Sequence, residues 1–479
     1  MRGTSLLAVT GALLTGVAVS LCIPLESHAT EETTPVPENR IHAPTAVPDR
    51  ILLSWKDNPA HTQAITWRTD TSVVEAVAEF ALAGEGPKFA AQALRVPATT
   101  SLHQGDLGPA LYHAVNLTGL AAASLYAYRV GDGTNWSEWN HFRTAAEEPE
   151  PFTFVYFGDA QNDVKSHWSR VFREAFSDAP RARFMLHAGD LINRGNRDAE
   201  WGDWFGAAGW VNTMIPVIAV PGNHEYDITR TVPIPESRAD QKKLPRSLAS
   251  RWQQRFDFPD NGPAAFRESL NETVYFIDCQ GVRIVALNSM ENVDVQADWL
   301  RGVLADNPSS WTIVTHHHPV YSVSERRDNA ELRNAWQPLY DEFRVDLVLQ
   351  GHDHGYGRTD LRRFAPNAAD GATFRSRAAG TVYVVSVSGP KMYAAGAESF
   401  ARRAEDTQLY QIITIDHDHL VYEAKTATGE LYDAFTLIKQ PGRTNKLVNS
   451  IPSRAENRRR GVPPPDQPVR VPGAAQVVE

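Results

Sequence analysis

Five short polar clusters in the sequence each follow directly after an apolar run. They are Gly158-Asp159-Ala160-Gln161, Gly189-Asp190-Leu191-Ile192-Asn193, Gly222-Asn223-His224-Glu225, His316-His317-His318-Pro319 and Gly351-His352-Asp353-His354. Aspartates, amides and imidazoles without a thiolate are the ligands that hard or borderline cations such as Mn²⁺, Fe²⁺, Fe³⁺ and Zn²⁺ prefer. A single Gly-Asp or Gly-Asn-His is commonly a turn. Five such clusters, each after an apolar run, predict one shared metal site.

The apolar runs predict the elements that position these clusters. They have the length of strands, and most are separated by helical stretches: Phe152–Phe157, Phe184–Ala188, Ile215–Val220, Val282–Leu287, Trp311–Thr315, Leu347–Leu349 and Val382–Val387. Near-continuous apolar strands that alternate with helices indicate an α/β domain whose sheet is covered on both faces. Because function gathers at the carboxyl ends of the strands in such a sheet, we expect the five clusters to converge.

Residues 44–147 show a different pattern, with short alternating segments separated by turn residues. The segments are Ile51–Trp55, Ala64–Arg68, Ala76–Ala81, Ala110–Leu117, Tyr126–Val130 and Trp139–Arg143. This spacing predicts a β-sandwich of about 100 residues. Leu117 and Leu120 followed by Tyr126 and Tyr128 resemble the corner between strands E and F of a fibronectin type III domain.

Taken together, the motifs resemble those of the calcineurin-like metallophosphoesterases, and among these the purple acid phosphatases. The family pattern D-x-[GH], G-D-x-x-[YD], G-N-H-[DE], V-x-x-H and G-H-x-H is matched, in that order, by Asp159-Ala160-Gln161, Gly189 to Asn193, Gly222 to Glu225, Val314 to His317 and Gly351 to His354. For residues 150–440 the resemblance implies the α/β metallophosphoesterase fold, a β-sandwich with flanking helices in βαβαβ units. For residues 44–147 it implies the fibronectin type III-like, all-β N-terminal domain of the purple acid phosphatases.

The resemblance also implies a role for each cluster. Two divalent or trivalent ions of Fe, Mn or Zn would be bridged by Asp190. The other ligands would divide between the ions, with Asp159 and His354 at the first and Asn223, His317 and His352 at the second. His224 would face the phosphate, where it stabilises the transition state or protonates the leaving group. The ions would lower the pKa of a bound water and give a hydroxide that attacks phosphorus.

Three positions depart from the family pattern or add to it. Gln161 stands where the family has Gly or His, and its carbonyl oxygen is a candidate ligand of the first metal. Asn193 stands where purple acid phosphatases have the tyrosine that gives their colour; we expect it to hold its loop by hydrogen bonds. Asn193-Arg194-Gly195 resembles the Asp-Arg-Gly of Ser/Thr protein phosphatases, so Arg194 is a candidate phosphate-binding residue.

The two ends of the chain read as segments outside the folded domains. Residues 1–29 resemble a secretory signal peptide, with an apolar run from Leu6 to Leu21 and a cleavage site at Ser27-His28-Ala29. A membrane-anchoring helix is the alternative for this segment, although the run is short for a span. Residues 30–43 read as a linker, and the Pro- and Arg-rich residues 441–479 as a disordered tail. We therefore expect a secreted or periplasmic protein, with no membrane span after cleavage.

Net charge and cysteine content exclude some classes of function and structure. The chain of 479 residues has 47 Lys and Arg against 57 Asp and Glu, a net charge of −10, so bulk charge does not favour nucleic-acid binding. Its two cysteines exclude a disulfide framework, and Cys279 reads as a buried, inert thiol. Together with the signal-like N-terminus, the family resemblance implies a secreted dinuclear phosphoesterase, and we expect it to act on phosphomonoesters. A phosphodiesterase with the same site and a non-catalytic binding protein that retains the scaffold are the alternatives.

Overall fold

The computed structural model describes residues 35–229, 237–241, 243–325, 327–364, 380–396, 400–440 and 442–458. The signal peptide predicted at residues 1–29 lies outside these ranges, as do residues 459–479 of the predicted tail. Within the described ranges, no helix is both long and apolar enough to cross a membrane.

The first domain is a β-sandwich of two four-stranded antiparallel sheets. Their strand orders are β1-β2-β6-β5 and β4-β3-β7-β8. The strands are β1 Asp49–Ser54, β2 Gln63–Thr69, β3 Val77–Leu82, β4 Leu94–Pro97, β5 Thr99–Gly105, β6 Gly108–Leu117, β7 Leu125–Gly131 and β8 Asn140–Arg143. Alternation of apolar residues along the strands gives each sheet an inner face, and these faces share one core that contains Leu53, Trp67, Phe80 and Tyr128.

Local features of this sandwich follow from particular residues. Tyr126 accepts a hydrogen bond at its hydroxyl from the backbone N–H of Ala121 at 2.8 Å, as in the tyrosine corner of other sandwich domains.

Strands β4 and β5 were not predicted. Most of their side chains are exposed, so they lack the apolar alternation that marks the inner strands.

The second domain contains a first seven-stranded sheet of order β11-β10-β9-β21-β22-β23-β24. Strands β9 to β11 are parallel to one another, and β21 to β24 continue the sheet in antiparallel pairs. The strands are β9 Phe152–Phe157, β10 Met185–His187, β11 Val217–Ala219, β21 Leu409–Asp416, β22 His419–Thr426, β23 Leu431–Ile438 and β24 Lys446–Asn449. Helices α2 Ser169–Asp178 and α3 Asp198–Ala208 connect the parallel strands.

A second seven-stranded sheet has the order β14-β15-β16-β17-β19-β18-β20, and its central strands β15, β16, β17 and β19 are parallel. Its strands are β14 Tyr275–Cys279, β15 Val282–Ala286, β16 Trp311–His316, β17 Leu347–Gln350, β18 Tyr356–Arg358, β19 Val382–Val385 and β20 Arg402–Ala404. Helices α6 Val293–Ala305 and α7 Ala330–Glu342 connect the parallel strands β15, β16 and β17. One buried apolar cluster takes residues from both sheets, including Phe154, Ile218, Ile284 and Leu347, so the domain is a sandwich with flanking helices.

Shorter elements complete the description. They are helices α1 Glu38–Ile41, α4 Arg238–Gln241 and α5 Trp252–Arg255, the hairpin β12 Tyr226–Ile228 with β13 Arg246–Leu248, one π turn at Val164–Trp168, and 3-10 turns at Pro87–Gln92, Gly209–Thr213 and Ala264–Phe266. Cys279 at the end of β14 is buried and free, and burial raises the pKa of its thiol to about 12.

Two predictions about the ends of the chain were wrong in part. Residues Glu38–Ile41, within the predicted linker, form a helical turn, and Glu38 accepts two hydrogen bonds from Arg197 at 2.7 Å. The predicted tail begins with strand β24, which pairs with β23. This strand was missed because it is held by backbone hydrogen bonds, while only Leu447 of its four residues packs against the core.

A buried ion network joins the sandwich to the N-terminus of α3. Asp198 accepts hydrogen bonds from Arg50 at 2.7 Å and Arg68 at 3.0 Å in the sandwich, and from Arg251 at 2.5 Å and Arg255 at 3.1 Å around α5. Burial alone would raise the pKa of Asp198, but the charges of Arg50 and Arg255 hold it far below its usual value. The loop that leads into Asp198 contains Asp190, so this network links the sandwich to one of the predicted site residues.

Replacing Asp198 by Ala should destabilise the protein strongly, because it leaves several buried guanidinium groups without their shared carboxylate. We expect the free energy of unfolding to fall by about 3–5 kcal/mol. Asp203→Ala, on the same helix but with a partly exposed side chain, is the matched control and should cost less than about 1 kcal/mol. Urea denaturation of both variants measures the difference; equal small losses would show that the network does not hold the domains.

Candidate metal centre

The residues predicted to form one site lie in loops that begin at the carboxyl ends of parallel strands. Asp159 and Gln161 follow β9, Asp190 follows β10, and Asn223 follows β11, all in the first sheet. His317 follows β16, and His352 and His354 follow β17, in the second sheet. Both sheets therefore contribute loops to the site.

Asp159, Asp190 and His354 form a first group of side chains. Their nearest oxygen and nitrogen atoms all lie within 4.8 Å of one another, and all three residues are buried. The amide of Gln161 lies inside this group: its Nε2 is 2.8 Å from Asp190 Oδ2 and 3.3 Å from His354 Nε2. These distances place Gln161 where its side-chain amide could share a cation with both neighbours.

Asp190, His317 and His352 form a second group, also within 4.8 Å. His317 Nε2 lies 3.2 Å from Asp190 Oδ2, 3.2 Å from Asn223 Oδ1 and 3.2 Å from His352 Nδ1. The four residues predicted at the second metal therefore meet around one point. Asp190 belongs to both groups.

Hydrogen bonds to backbone carbonyls orient two of the imidazoles. His317 donates from Nδ1 to the carbonyl of Ala188, and His354 donates from Nδ1 to the carbonyl of Lys391, each at 2.9 Å. Because Nδ1 donates to a carbonyl in each ring, Nε2 is the atom directed into the site. Burial also lowers the pKa of His354 to about 3, which keeps its ring neutral and able to bind a metal.

The electrostatics of the site favour a cation. Burial raises the pKa of Asp159 well above its usual value, and the charge of Asp190 adds to this effect. Among the described residues, neither carboxylate oxygen of Asp159 has a hydrogen-bond partner, and the same holds for Oε1 of Gln161. Buried polar oxygens are normally satisfied, so the two Asp159 oxygens fit the role of metal ligands, and Gln161 Oε1 would do so with its amide turned toward the group.

The backbone in these loops has unusual conformations. Asp159, Asp190 and His352 have φ of 36°, 51° and 71°, in the left-handed region that non-glycine residues seldom adopt. Such strain is characteristic of functional sites, where surrounding contacts enforce it. Gly222 allows a close approach of two loops, because a Cβ atom there would collide with the carboxylate of Asp190 and lie 2.8 Å from His317 Cε1.

His224 lies at the edge of the two groups. Its backbone N–H donates to Asp190 Oδ1 at 2.9 Å, and its ring donates from Nδ1 to the carbonyl of Asn193 at 2.5 Å. Asn193 thus contributes a backbone carbonyl that orients His224. The side chain of Arg194 is 57% exposed and its Nε donates to Glu200 at 2.8 Å.

Glu225 has a positioning role that the sequence analysis did not assign. Its buried carboxylate accepts hydrogen bonds from the backbone N–H of Asp190 at 2.9 Å, Leu191 at 2.8 Å and Gly222 at 2.7 Å. It therefore ties the loop of Asp190 to the loop of Asn223. Its place beside the Asn-His pair was visible in the sequence, but nothing there indicated that the carboxylate points to the backbone.

A sixth loop, Ser388–Tyr393, was also missed; we call it the β19 loop. Three backbone N–H groups of this loop donate hydrogen bonds of 2.7 Å to the ligand loops. Ser388 donates to the carbonyl of Gly158, Gly389 to that of Asp159, and Tyr393 to that of His354. This loop has the same sequence pattern as the five predicted clusters, because polar residues follow the predicted strand Val382–Val387. Because the segment contains no aspartate or histidine, its composition does not indicate a ligand cluster.

Two parts of the chain match known protein families. Residues 130–356 match the family model for calcineurin-like phosphoesterases, and residues 48–144 match the model for the purple acid phosphatase N-terminal domain. The chain is 24% identical over 341 residues to probable purple acid phosphatase 20 of Arabidopsis thaliana, covering 69% of this chain and 71% of that one. It is 27% identical over 356 residues to human acid phosphatase type 7, covering 67% and 73%.

A solved structure supports the fold. The purple acid phosphatase from yellow lupin seeds superposes with a TM-score of 0.66 at 19% identity, covering 82% of this chain and 74% of that chain. The predicted fold, an all-β N-terminal domain followed by an α/β sandwich domain, is thereby confirmed.

Proposed function

Because the chain belongs to the calcineurin-like phosphoesterases and carries the N-terminal domain of the purple acid phosphatases, we propose that it hydrolyses phosphomonoesters at a dinuclear metal centre. It is a metallophosphoesterase of the acid phosphatase type, and the two relatives described above are named as a probable purple acid phosphatase and an acid phosphatase. The preference for monoesters and the division of ligands between two ions are parts of the proposal.

One observation carries the proposal: two groups of ligand atoms share Asp190, as a bridging carboxylate would. We assign Asp159, Asp190 and His354 to the first ion, with the Gln161 carbonyl as a further ligand once its amide is turned. Asp190, Asn223, His317 and His352 are assigned to the second. The donors are oxygen and nitrogen atoms only, which suits Fe, Mn or Zn.

When bound, two such cations polarise the phosphoryl oxygens and activate water as the nucleophile. Residues of the chain itself would orient the metal ligands and protonate the leaving oxygen. The Nδ1–H of His224 donates to the carbonyl of Asn193, so its Nε2 is available to the phosphoryl group or the leaving oxygen. Glu225 fixes the spacing between Asp190 and Asn223 through three backbone hydrogen bonds. Arg194 is left out of this proposal because Glu200 holds its guanidinium.

The proposal is tested by hydrolysis of p-nitrophenyl phosphate and bis-p-nitrophenyl phosphate. The protein is treated with a chelator and then supplied with Mn²⁺, Zn²⁺ or iron. We expect turnover of the monoester that depends on added metal and exceeds turnover of the diester. Faster hydrolysis of the diester would make the protein a phosphodiesterase. No metal-dependent turnover of either ester would favour a non-catalytic binding protein.

We also propose that the protein acts outside the cytoplasm, as a secreted or periplasmic enzyme. The support is the resemblance of residues 1–29 to a secretory signal peptide. N-terminal sequencing of protein exported by its host tests the proposal. A mature chain that begins just after Ala29 is expected, and an intact Met1 on a cytoplasmic protein would contradict it.

The iron-loaded protein should lack the purple charge-transfer band, because Asn193 replaces the tyrosine that gives the family its colour. Two other tyrosines near the predicted ligands in sequence are engaged elsewhere: the hydroxyl of Tyr356 donates to Asp433 at 2.7 Å, and that of Tyr321 accepts from Gln337 at 2.6 Å. The ring centroid of Tyr393 lies 4.6 Å from that of His354. A visible absorption spectrum of the Fe³⁺ protein checks the prediction; a purple band that disappears in Tyr393→Phe would contradict it.

A further inference from the structure

The β19 loop holds the backbone of Lys391 firmly beside the first ligand group. The carbonyl of Lys391 accepts the hydrogen bond from His354 Nδ1, and the N–H of Tyr393 donates back to the carbonyl of His354. The N–H of Gly389 donates to the carbonyl of Asp159. Because the loop is bonded to both ends of this group, the base of the Lys391 side chain has a defined position at the site.

The ammonium group of Lys391 remains close to the site. Its Nζ lies 5.6 Å from the ring centroid of Tyr393, and that ring packs against His354. Its charge is the second cause, after burial, of the lowered pKa of His354. Across the described part of the chain, no carboxylate lies within 4.0 Å of Lys391 Nζ. Lys391 thus has no ion-pair partner among the residues that the structure describes, and it stands at the edge of the predicted metal centre.

Arg327 is a second cation at the same ring, but its charge is balanced. Its guanidinium carbon lies 5.0 Å from the ring centroid of Tyr393. Its Nη1 donates at 3.0 Å to the buried carboxylate of Asp353 and at 3.0 Å to the carbonyl of His352. Arg327 is therefore held by a carboxylate and a carbonyl, whereas among the described residues the Lys391 ammonium has only the face of the Tyr393 ring beside it.

We propose that Lys391 binds a second anionic group on the substrate, so that the enzyme prefers phosphate esters whose leaving group carries a carboxylate or a further phosphate. This inference rests on the proposed function, in which the reacting phosphoryl group occupies the two ions. A half-buried ammonium at the edge of the site, with no carboxylate within 4.0 Å among the described residues, then meets the leaving group. The two ions neutralise the phosphoryl group, whereas a second anionic group beside them faces a chain with a net charge of −10, so a local cation favours substrates that carry one.

The test compares two esters that differ by one charge, glycerol 3-phosphate and 3-phosphoglycerate. We expect the wild type to have the higher kcat/KM for 3-phosphoglycerate. Lys391→Gln should lower that value by about 10–100-fold, as loss of a charge-assisted hydrogen bond does, and change the value for glycerol 3-phosphate by less than about 3-fold. Lys391→Arg should restore most of the preference. Lys88→Gln, at an exposed lysine of the sandwich domain, is the control and should alter neither ester.

A binding measurement accompanies the kinetics. Calorimetric titration with the non-hydrolysable methylene phosphonate analogue of 3-phosphoglycerate should show the same 10–100-fold loss in Lys391→Gln. Equal losses for both esters would mean that Lys391 acts on the common phosphoryl group, and no loss would mean that it does not contact substrate; either result overturns the inference. If the wild type hydrolyses neither these esters nor p-nitrophenyl phosphate with any metal, the proposed function itself fails and the inference fails with it.

Discussion

Replacing Asp190 by Asn should abolish metal-dependent turnover and release both ions rather than one. Asp190 belongs to both ligand groups, with Oδ2 2.8 Å from Gln161 Nε2 and 3.2 Å from His317 Nε2. A carboxylate offsets the charge of two cations at once, and a neutral amide of the same shape does not. Removing even a group that supports a ligand lowers metal affinity by about 10–100-fold, so loss of the bridge should exceed about 100-fold.

The measurement is metal content by elemental analysis together with kcat for p-nitrophenyl phosphate. Asp416→Asn, at an exposed aspartate that pairs with the neighbouring His417, is the control and should keep both ions and full activity. Loss of a single ion from Asp190→Asn would assign Asp190 to one metal only. Full metal content with normal turnover would refute its role as a bridge.

His224→Ala should keep both ions but lower kcat by about 10²–10⁴-fold, the contribution typical of a general acid. The ring is held by its bond to the carbonyl of Asn193, and its contact with Asp190 is made by the backbone N–H, which alanine retains. The variant therefore removes a proton donor without removing a ligand. This separates it from Asp190→Asn, in which metal and activity fall together.

The same pair of measurements applies, with His167→Ala as control because that imidazole lies on the outer side of the π turn and bonds to Ser166. A loss of metal from His224→Ala would show that it is a ligand. An unchanged kcat would show that another group protonates the leaving oxygen.

The residues at strand ends could be predicted from sequence because a simple physical rule places them. An apolar run such as Phe184–Ala188 has to be buried, and its chain direction determines the sheet edge at which Asp190 emerges. The structure accordingly brings together the predicted ligand residues from both sheets. Glycine at position 222 was a further sign, because only that residue permits the close approach of the loops.

Other features depend on partners that are distant in the sequence and carry no local pattern. Lys391 is placed beside His354 by the register of β19 against β17 and by hydrogen bonds to two loops. Asp198 gains its importance from arginines more than 50 residues away on either side, and a single aspartate at a helix N-terminus gives no sign of this. Strand β24 was misread as tail because backbone pairing leaves no trace in side-chain hydrophobicity.

Anomalous diffraction from crystals grown with Mn²⁺ or Zn²⁺ tests the central claim most directly. We expect two peaks about 3.5–4 Å apart, one contacted by Asp159, Asp190 and His354 and the other by Asp190, Asn223, His317 and His352. Both peaks should lie within bonding distance of Asp190. A single peak, two peaks that do not share Asp190, or no peak at these residues would contradict a dinuclear centre.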